Sequence, residues 1–154
     1  MNARFQKLIE NLQRKFETLM SMAPVTVDTA PRDTPKGGVY LFSSGGRHLY
    51  TGRTKRRIRD RLKYHVSTAD DCPFAWHLAR EETNNRTPSY KREGSRKHLL
   101  EQPVFRDAYE RAKEQIREME VRYVGEDDPL KQALLEIYVL NLTDFLEGIA
   151  DGSE

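Results

Sequence analysis

Two short β-forming runs joined by a glycine-containing turn constrain this chain more than any other feature. Residues 38–42 and 47–51 are rich in β-branched and aromatic side chains, which are typical of strands. The intervening Ser43-Ser44-Gly45-Gly46 is a turn signal. The stretch therefore predicts a β-hairpin.

The register of this hairpin determines where its two tyrosines point. If the loop has three residues, 44–46, Tyr40 lies directly opposite Tyr50. Side chains alternate along a strand, so both phenols then share one face of the sheet. The other face receives Val39, Leu41, Leu49 and Thr51.

A basic helix is predicted directly after the hairpin. Thr54 is a candidate N-cap for it. Its apolar residues recur every four positions and form a stripe that can pack on the sheet: Ile58, Leu62 and Val66. A cationic stripe with the same spacing runs beside it: Arg57, Arg61 and His65.

These residues carry a family resemblance. Gly38-Val39-Tyr40, nine further residues and Tyr50-Thr51-Gly52, followed by Arg61 and His65, resemble the motif of the GIY-YIG nucleases. Valine and threonine replace the two isoleucines of the motif, and the loop between its halves is slightly short. The resemblance implies an α+β fold with a small three-stranded antiparallel sheet flanked by helices. It also implies a nuclease domain at 37–154, preceded by an extra N-terminal helix and connector at 1–36.

Composition favours a compact protein of the cytoplasm. The chain has 154 residues, which fits one domain, and 32% of them are charged against 37% hydrophobic. It has neither an apolar run of membrane-spanning length nor the apolar centre of a secretory signal. Its single cysteine, Cys72, has no partner for a disulfide, which fits a reducing compartment. We therefore expect a soluble, cytoplasmic protein without a membrane partner.

Basic residues are clustered although the formal net charge is only +2. Such clusters match a phosphate-rich partner, and DNA is the partner we expect. An alternative is that each arginine only balances nearby acids on a solvated helix face. The candidate nucleic-acid-binding residues of the first cluster are Arg53, Lys55, Arg56, Arg57, Arg59 and Lys63. The second cluster comprises Arg86, Lys91, Arg92, Arg96, Lys97 and His98.

The remaining elements follow from periodicity and turn signals. An amphipathic helix is predicted at 4–21, and it packs on its own domain or pairs with a second copy, giving a monomer or a homodimer. An extended connector follows, with a short edge strand at 25–27. A short helix through Glu82 buries Trp76, and 83–95 is predicted to be a surface loop. The last elements are a helix at 103–118 with a stripe of Val104, Ala108, Ala112 and Ile116, a strand at 119–124, and a final helix after Asp127-Asp128-Pro129.

Glu136 is the exception in this final helix, which is apolar nearly all round at 133–140 and is expected to be mostly buried. A buried carboxylate requires a partner, either an arginine such as Arg122 or a metal ion. The resemblance favours metal, because GIY-YIG nucleases carry a metal-binding glutamate in such a helix. They usually also carry a later asparagine. Here the only candidate is Asn141, five residues on, and its role is open.

Together these residues predict a DNA endonuclease that uses a single Mg²⁺, with Mn²⁺ as an alternative. Tyr40 or Tyr50 orients or deprotonates the attacking water, and Arg61 holds the phosphate. His65 relays a proton, and Glu136 binds the metal. One carboxylate argues against two metals. Two alternatives remain: a GIY-YIG-like module that binds nucleic acid with weak or no catalysis, and an interaction protein that dimerises through its first helix.

Overall fold

The chain folds into an α+β structure with one small antiparallel sheet. The computed structural model describes residues 2–85 and 95–150, with side chains to Thr143 in the last helix. The elements are α1 (Ala3–Ser21), β1 (Lys36–Ser44), β2 (Arg47–Arg57), α2 (Ile58–Tyr64), α3 (Pro73–Glu82), α4 (Arg96–Glu101), α5 (Pro103–Glu118), β3 (Glu120–Gly125) and α6 (Pro129–Ala150). They form two compact units, the first comprising 1–61 and 119–154 and the second 62–118.

The first unit contains the sheet, whose strand order is β2-β1-β3 with both pairings antiparallel. The central strand β1 is buried from Gly37 to Ser43. This confirms the predicted fold class, including the N-terminal helix. No helix in the described ranges 2–85 and 95–150 has the length and apolar character needed to cross a bilayer.

The hairpin forms, but its predicted loop is wrong. The loop has two residues, Gly45 and Gly46, with φ of 58° and 79°. Positive φ at both positions is the type I′ geometry that matches the twist of paired strands. A bulge then leaves Leu49 without a Cα partner, so the register shifts by two residues in total. An even shift keeps every side chain after the bulge on its predicted face.

The helices α1 and α6 cover one face of the sheet. Their contribution to the core is Leu12, Leu19, Leu135 and Val139, packed against Val39, Leu41 and Val124. This confirms that α1 packs on its own domain. Burial along α1 is nevertheless partial, because Phe5 and Ile9 near its start are exposed.

The expectation of a mostly buried α6 is wrong. Leu130 is 68% exposed and Ile137 is 54% exposed, and Leu140 is also exposed. These residues lie on the side of the helix opposite to the core residues Leu135 and Val139. The start of α6 follows the prediction, because the Asp128 carboxylate accepts hydrogen bonds from the backbone N–H groups of Leu130 and Lys131.

The connector between α1 and β1 is ordered by backbone and side-chain contacts. The expected short edge strand is a single bridge in which Val25 pairs with Val121 of β3. Further along, the buried Thr34 side chain accepts a hydrogen bond from Arg59 N at 2.9 Å, and Pro35 O accepts one from Ile58 N. The connector therefore caps α2.

The predicted cap at Thr54 is wrong because Thr54 lies within β2, where its hydroxyl accepts from Arg56 N. The helix begins three residues later than that cap requires and ends at Tyr64. Arg57 consequently belongs to the strand and His65 to the turn after the helix. The predicted cationic stripe on one helix therefore does not form.

The second unit contains α3, α4 and α5. Trp76 is buried as expected, with its ring centroid 4.9 Å from that of Phe105 and 5.5 Å from that of Tyr109. The predicted stripe of α5 is correct except at Val104, which is 73% exposed, since Phe105 takes the buried position. The predicted loop at 83–95 lies outside the described residues at 86–94, and α4 was not predicted.

Candidate active site

Tyr40 and Tyr50 lie on the same face of the sheet, as predicted, but they are not directly opposite. Tyr40 pairs with Gly52 and Tyr50 pairs with Phe42, so the two phenols are diagonal neighbours. Their ring centroids are 6.4 Å apart with an interplanar angle of 32°. Tyr40 is 1% exposed, whereas Tyr50 is half-buried. The face predicted for the two phenols is confirmed.

Gly52 explains how the Tyr40 ring fits against the sheet. A Cβ built on Gly52 would overlap the ring and hydroxyl of Tyr40. The ring therefore lies over the backbone of the neighbouring strand at the one position without a side chain. The requirement is steric and comes from the cross-strand partner, which a motif spacing alone does not reveal.

Arg61 joins this pair from α2. Its Nε donates a hydrogen bond to the Tyr40 hydroxyl at 3.4 Å. Arg61 is half-buried, and Thr34 and Pro35 cap the start of the helix that carries it. A cation is thus held against a buried phenol.

Glu136 on α6 contributes a carboxylate whose protein partner is an arginine other than the expected one. Arg53 Nε lies 3.8 Å from Glu136 Oε1, with side-chain exposures of 40% and 27%. Arg122, the expected partner, instead lies 3.7 Å from Glu120. Arg53 directly follows Gly52 on β2, so this ion pair joins α6 to the edge of the sheet that carries Tyr50.

The electrostatics of the four groups are coupled. Burial raises the pKa of both Tyr40 and Tyr50, the Arg61 guanidinium opposes this rise at each, and the Glu136 charge adds to it at each. Burial also raises the pKa of Glu136, against an opposing effect of Arg53. The Glu136 charge therefore acts on both phenols from α6, which packs on the face of the sheet that carries Val39 and Leu41.

Two further predicted site residues differ from these four. His65 belongs to the second unit, follows the last residue of α2 and is fully buried. Asn141 is exposed, and its side-chain amide donates to the backbone oxygen of Ile137 one turn earlier. The amide of Asn141 therefore serves its own helix.

The predicted nucleic-acid-binding cluster divides into two groups. Arg57 donates to Thr34 O, and Arg59 Nε donates to Ala30 O at 3.2 Å, so both stabilise the connector. Arg53 pairs with Glu136. The side chains that are exposed without such structural contacts are Lys55, Arg56 and, in the second unit, Lys63.

A hard divalent cation fits this donor set. Among residues 2–85 and 95–143 no group of three or more His, Cys, Asp or Glu side chains forms a metal cage. Mg²⁺ commonly keeps several waters and binds through one or two carboxylates together with substrate phosphates. Glu136 is a suitable single carboxylate for such binding.

Comparison of the chain with protein-family models, curated proteins and solved structures found no significant match. Three features were not predicted from the sequence: the steric role of Gly52, the cap at Thr34 and the pairing of Arg53. Each acts through a contact with a segment distant in sequence.

Proposed function

We propose that this protein is a metal-dependent endonuclease that hydrolyses phosphodiester bonds of DNA by a GIY-YIG-like mechanism. One observation carries the proposal. Three elements of the first unit place two phenols and a guanidinium together, namely Tyr40, Tyr50 and Arg61, and the charge of Glu136 on a fourth element acts on both phenols.

Arg61 is the phosphate-binding group in this proposal. Its planar guanidinium can donate two hydrogen bonds to phosphate oxygens, which stabilises the charge that develops on the phosphoryl group. The hydrogen bond to Tyr40 fixes the orientation of the side chain before substrate arrives. Such preorganisation lowers the cost of positioning in the reacting complex.

The tyrosines orient the attacking water. Both phenols are protonated at neutral pH, because an ordinary tyrosine already titrates near pH 10 and burial raises the pKa of each further. A protonated phenol donates a hydrogen bond to water or phosphate, and only the ionised form accepts a proton from the water. The Arg61 guanidinium favours that ionised form at both positions. Tyr50 is the more accessible phenol, and Tyr40 is the one held by Arg61.

Glu136 would hold Mg²⁺ or Mn²⁺, and the bound ion would supply neutralisation of charge on the phosphoryl oxygens. Burial raises the pKa of the Glu136 carboxyl, although the side chain is still partly exposed. A bound cation would therefore stabilise its ionised form. The single carboxylate favours one ion over two. His65 as a proton donor remains a proposal based on the resemblance alone.

A second candidate is a DNA-binding module with weak or no catalysis. The observation that favours it is the Arg53–Glu136 ion pair, since a carboxylate paired with arginine is satisfied without a metal.

Either function requires access to DNA, and we propose the cytoplasm as the compartment, in agreement with the free, buried Cys72.

A plasmid assay tests the proposal. Supercoiled DNA should be nicked or linearised by the protein with Mg²⁺ and left intact in EDTA. Arg61→Ala should lower the cleavage rate at least 100-fold, because it removes the phosphate-binding group. The matched control is Arg56→Ala, an exposed arginine on β2, which should weaken DNA binding with a smaller effect on saturating turnover. Equal cleavage kinetics for the two variants would show that Arg61 is not the phosphate-binding group of the active site.

A further inference from the structure

Two arginines of the second unit lie over one tryptophan ring. The Cζ atom of Arg80 is 5.1 Å from the ring centroid of Trp76, and that of Arg96 is 5.3 Å from the same centroid. The indole itself is 2% exposed and packs on Phe105 and Tyr109. Two guanidinium groups, one of them on the exposed Arg96, therefore lie within about 5 Å of the same ring.

Two arginines of α5, Arg106 and Arg111, differ from this pair because they face acids. Arg106 lies 3.0 Å from Asp70, and Arg111 lies 3.0 Å from Glu82. Within residues 62–85 and 95–118, neither Arg80 nor Arg96 has a carboxylate at ion-pair distance. The only hydrogen bond from either guanidinium to a described residue runs from Arg80 Nη1 to the backbone oxygen of Asn85.

Two like charges held together are unfavourable unless an anion neutralises them. The charge of Arg96 lowers the pKa of Arg80, in addition to the larger effect of burial, which agrees with their proximity. A guanidinium stacked on an aromatic ring uses its face for that contact, while its N–H groups lie in its plane. Those N–H groups match phosphate oxygens.

We propose that Arg80 and Arg96 form a phosphate-binding surface for the backbone of DNA, separate from the tyrosine site in the first unit. The identity of the polyanion as DNA rests on the proposed function. Lys97, which is exposed and adjacent to Arg96, adds positive charge. Phosphate contacts of this type position a duplex and carry no sequence information.

The test compares two double variants that change the net charge equally. Arg80→Gln with Arg96→Gln removes the proposed surface, and Arg106→Gln with Arg111→Gln removes two arginines that are already paired with acids. The affinity for a 20-base-pair duplex is measured in EDTA, without cleavage, across a series of salt concentrations. Each lost phosphate contact lowers the slope of log affinity against log salt by about 0.9.

The first double variant should lower that slope by about 2 and weaken binding at least tenfold at low salt, and the second should leave the slope unchanged. Arg80→Lys with Arg96→Lys should retain the slope, which separates charge from packing. Thermal melts check folding, and the exposed Arg96→Gln alone serves if the double variant melts below the assay temperature.

A slope equal to wild type in the glutamine variants would overturn the proposal, whether or not the protein cleaves DNA. A reduced slope in a protein that proves unable to cleave would support this surface and reject the nuclease. If the glutamine variants lose binding to polyglutamate while duplex binding is intact, the pair serves an acidic protein partner, which also overturns the proposal.

Discussion

At the scale of single residues, the candidate site is defined by groups whose environments oppose their charged forms. Burial raises the pKa of Tyr40, Tyr50 and Glu136, and one arginine opposes that effect at each: Arg61 at the tyrosines and Arg53 at the glutamate. A site with this balance responds to the arrival of positive charge, because a cation stabilises the ionised form of all three groups at once.

The pH dependence of cleavage follows from the tyrosines. If a phenolate accepts the proton of the attacking water, the rate depends on the fraction of that tyrosine that is ionised. The pKa of each phenol lies above its ordinary value, so this fraction is small and grows in proportion to the hydroxide concentration. The single-turnover rate should therefore rise about tenfold per pH unit from pH 6 to 9. Tyr50→Phe or Tyr40→Phe, whichever removes the base, should flatten this limb. A wild-type rate that is constant across this range would exclude a tyrosine base.

At the scale of elements, features set within one segment could be predicted from the sequence, whereas contacts between distant segments could not. The bounds of α1 and α5, the Asp128 cap and the face shared by the tyrosines all follow from spacing within one segment. The predicted register was wrong because the turn has two residues, 45 and 46, and a bulge follows it, and each shifts the pairing by one residue. The Gly-Gly pair is typical of a two-residue turn, but the bulge has no distinctive sequence. The Arg53–Glu136 pair and the cap on α2 depend on the tertiary fold, so no local pattern predicts them.

The cap on α2 gives a prediction at this scale. Thr34→Val keeps the shape of the side chain but removes the oxygen that accepts from Arg59 N, so it should destabilise the fold by about 1 kcal/mol. Cleavage should fall as well, because the same helix positions Arg61. The matched control is Thr29→Val, an exposed threonine of the same connector whose contacts are with Thr26. Equal thermal melts and rates for the two variants would reject the cap.

At the scale of the whole molecule, α1 belongs to the core of the first unit. Leu12 and Leu19 are buried, Phe16 and Met20 are partly buried, and Lys15 pairs with Glu126 at 3.7 Å. Deleting residues 1–22 should remove roughly 5 to 7 kcal/mol of stabilisation from apolar burial. This figure does not subtract the conformational entropy lost when the helix is ordered. The truncated protein should melt well below the full chain or fail to fold. If it melts like the full chain but changes from dimer to monomer in light scattering, α1 is an oligomer contact instead.

Glu136 connects the proposed chemistry to the stability of the molecule. Burial raises the pKa of Glu136, so the folded state binds this proton more tightly than the unfolded chain does. Stability from this group is therefore lost as the pH rises above the ordinary pKa of a glutamate, and at pH 7 the ionised carboxylate opposes folding. Glu136→Gln removes the charge, so the melting temperature at pH 7 should stay constant or rise slightly. The free energy of unfolding should change by less than about 1 kcal/mol.

The most direct test of the account is the plasmid-cleavage rate of Glu136→Gln at saturating Mg²⁺, with duplex affinity and a thermal melt measured on the same sample. Glu120→Gln is the matched control, because Glu120 is paired with an arginine of the same unit outside the site. We predict that Glu136→Gln binds DNA at least as tightly as wild type and melts normally, while cleavage falls to background. Cleavage near the wild-type rate would contradict the metal-binding role of Glu136 and the central claim with it.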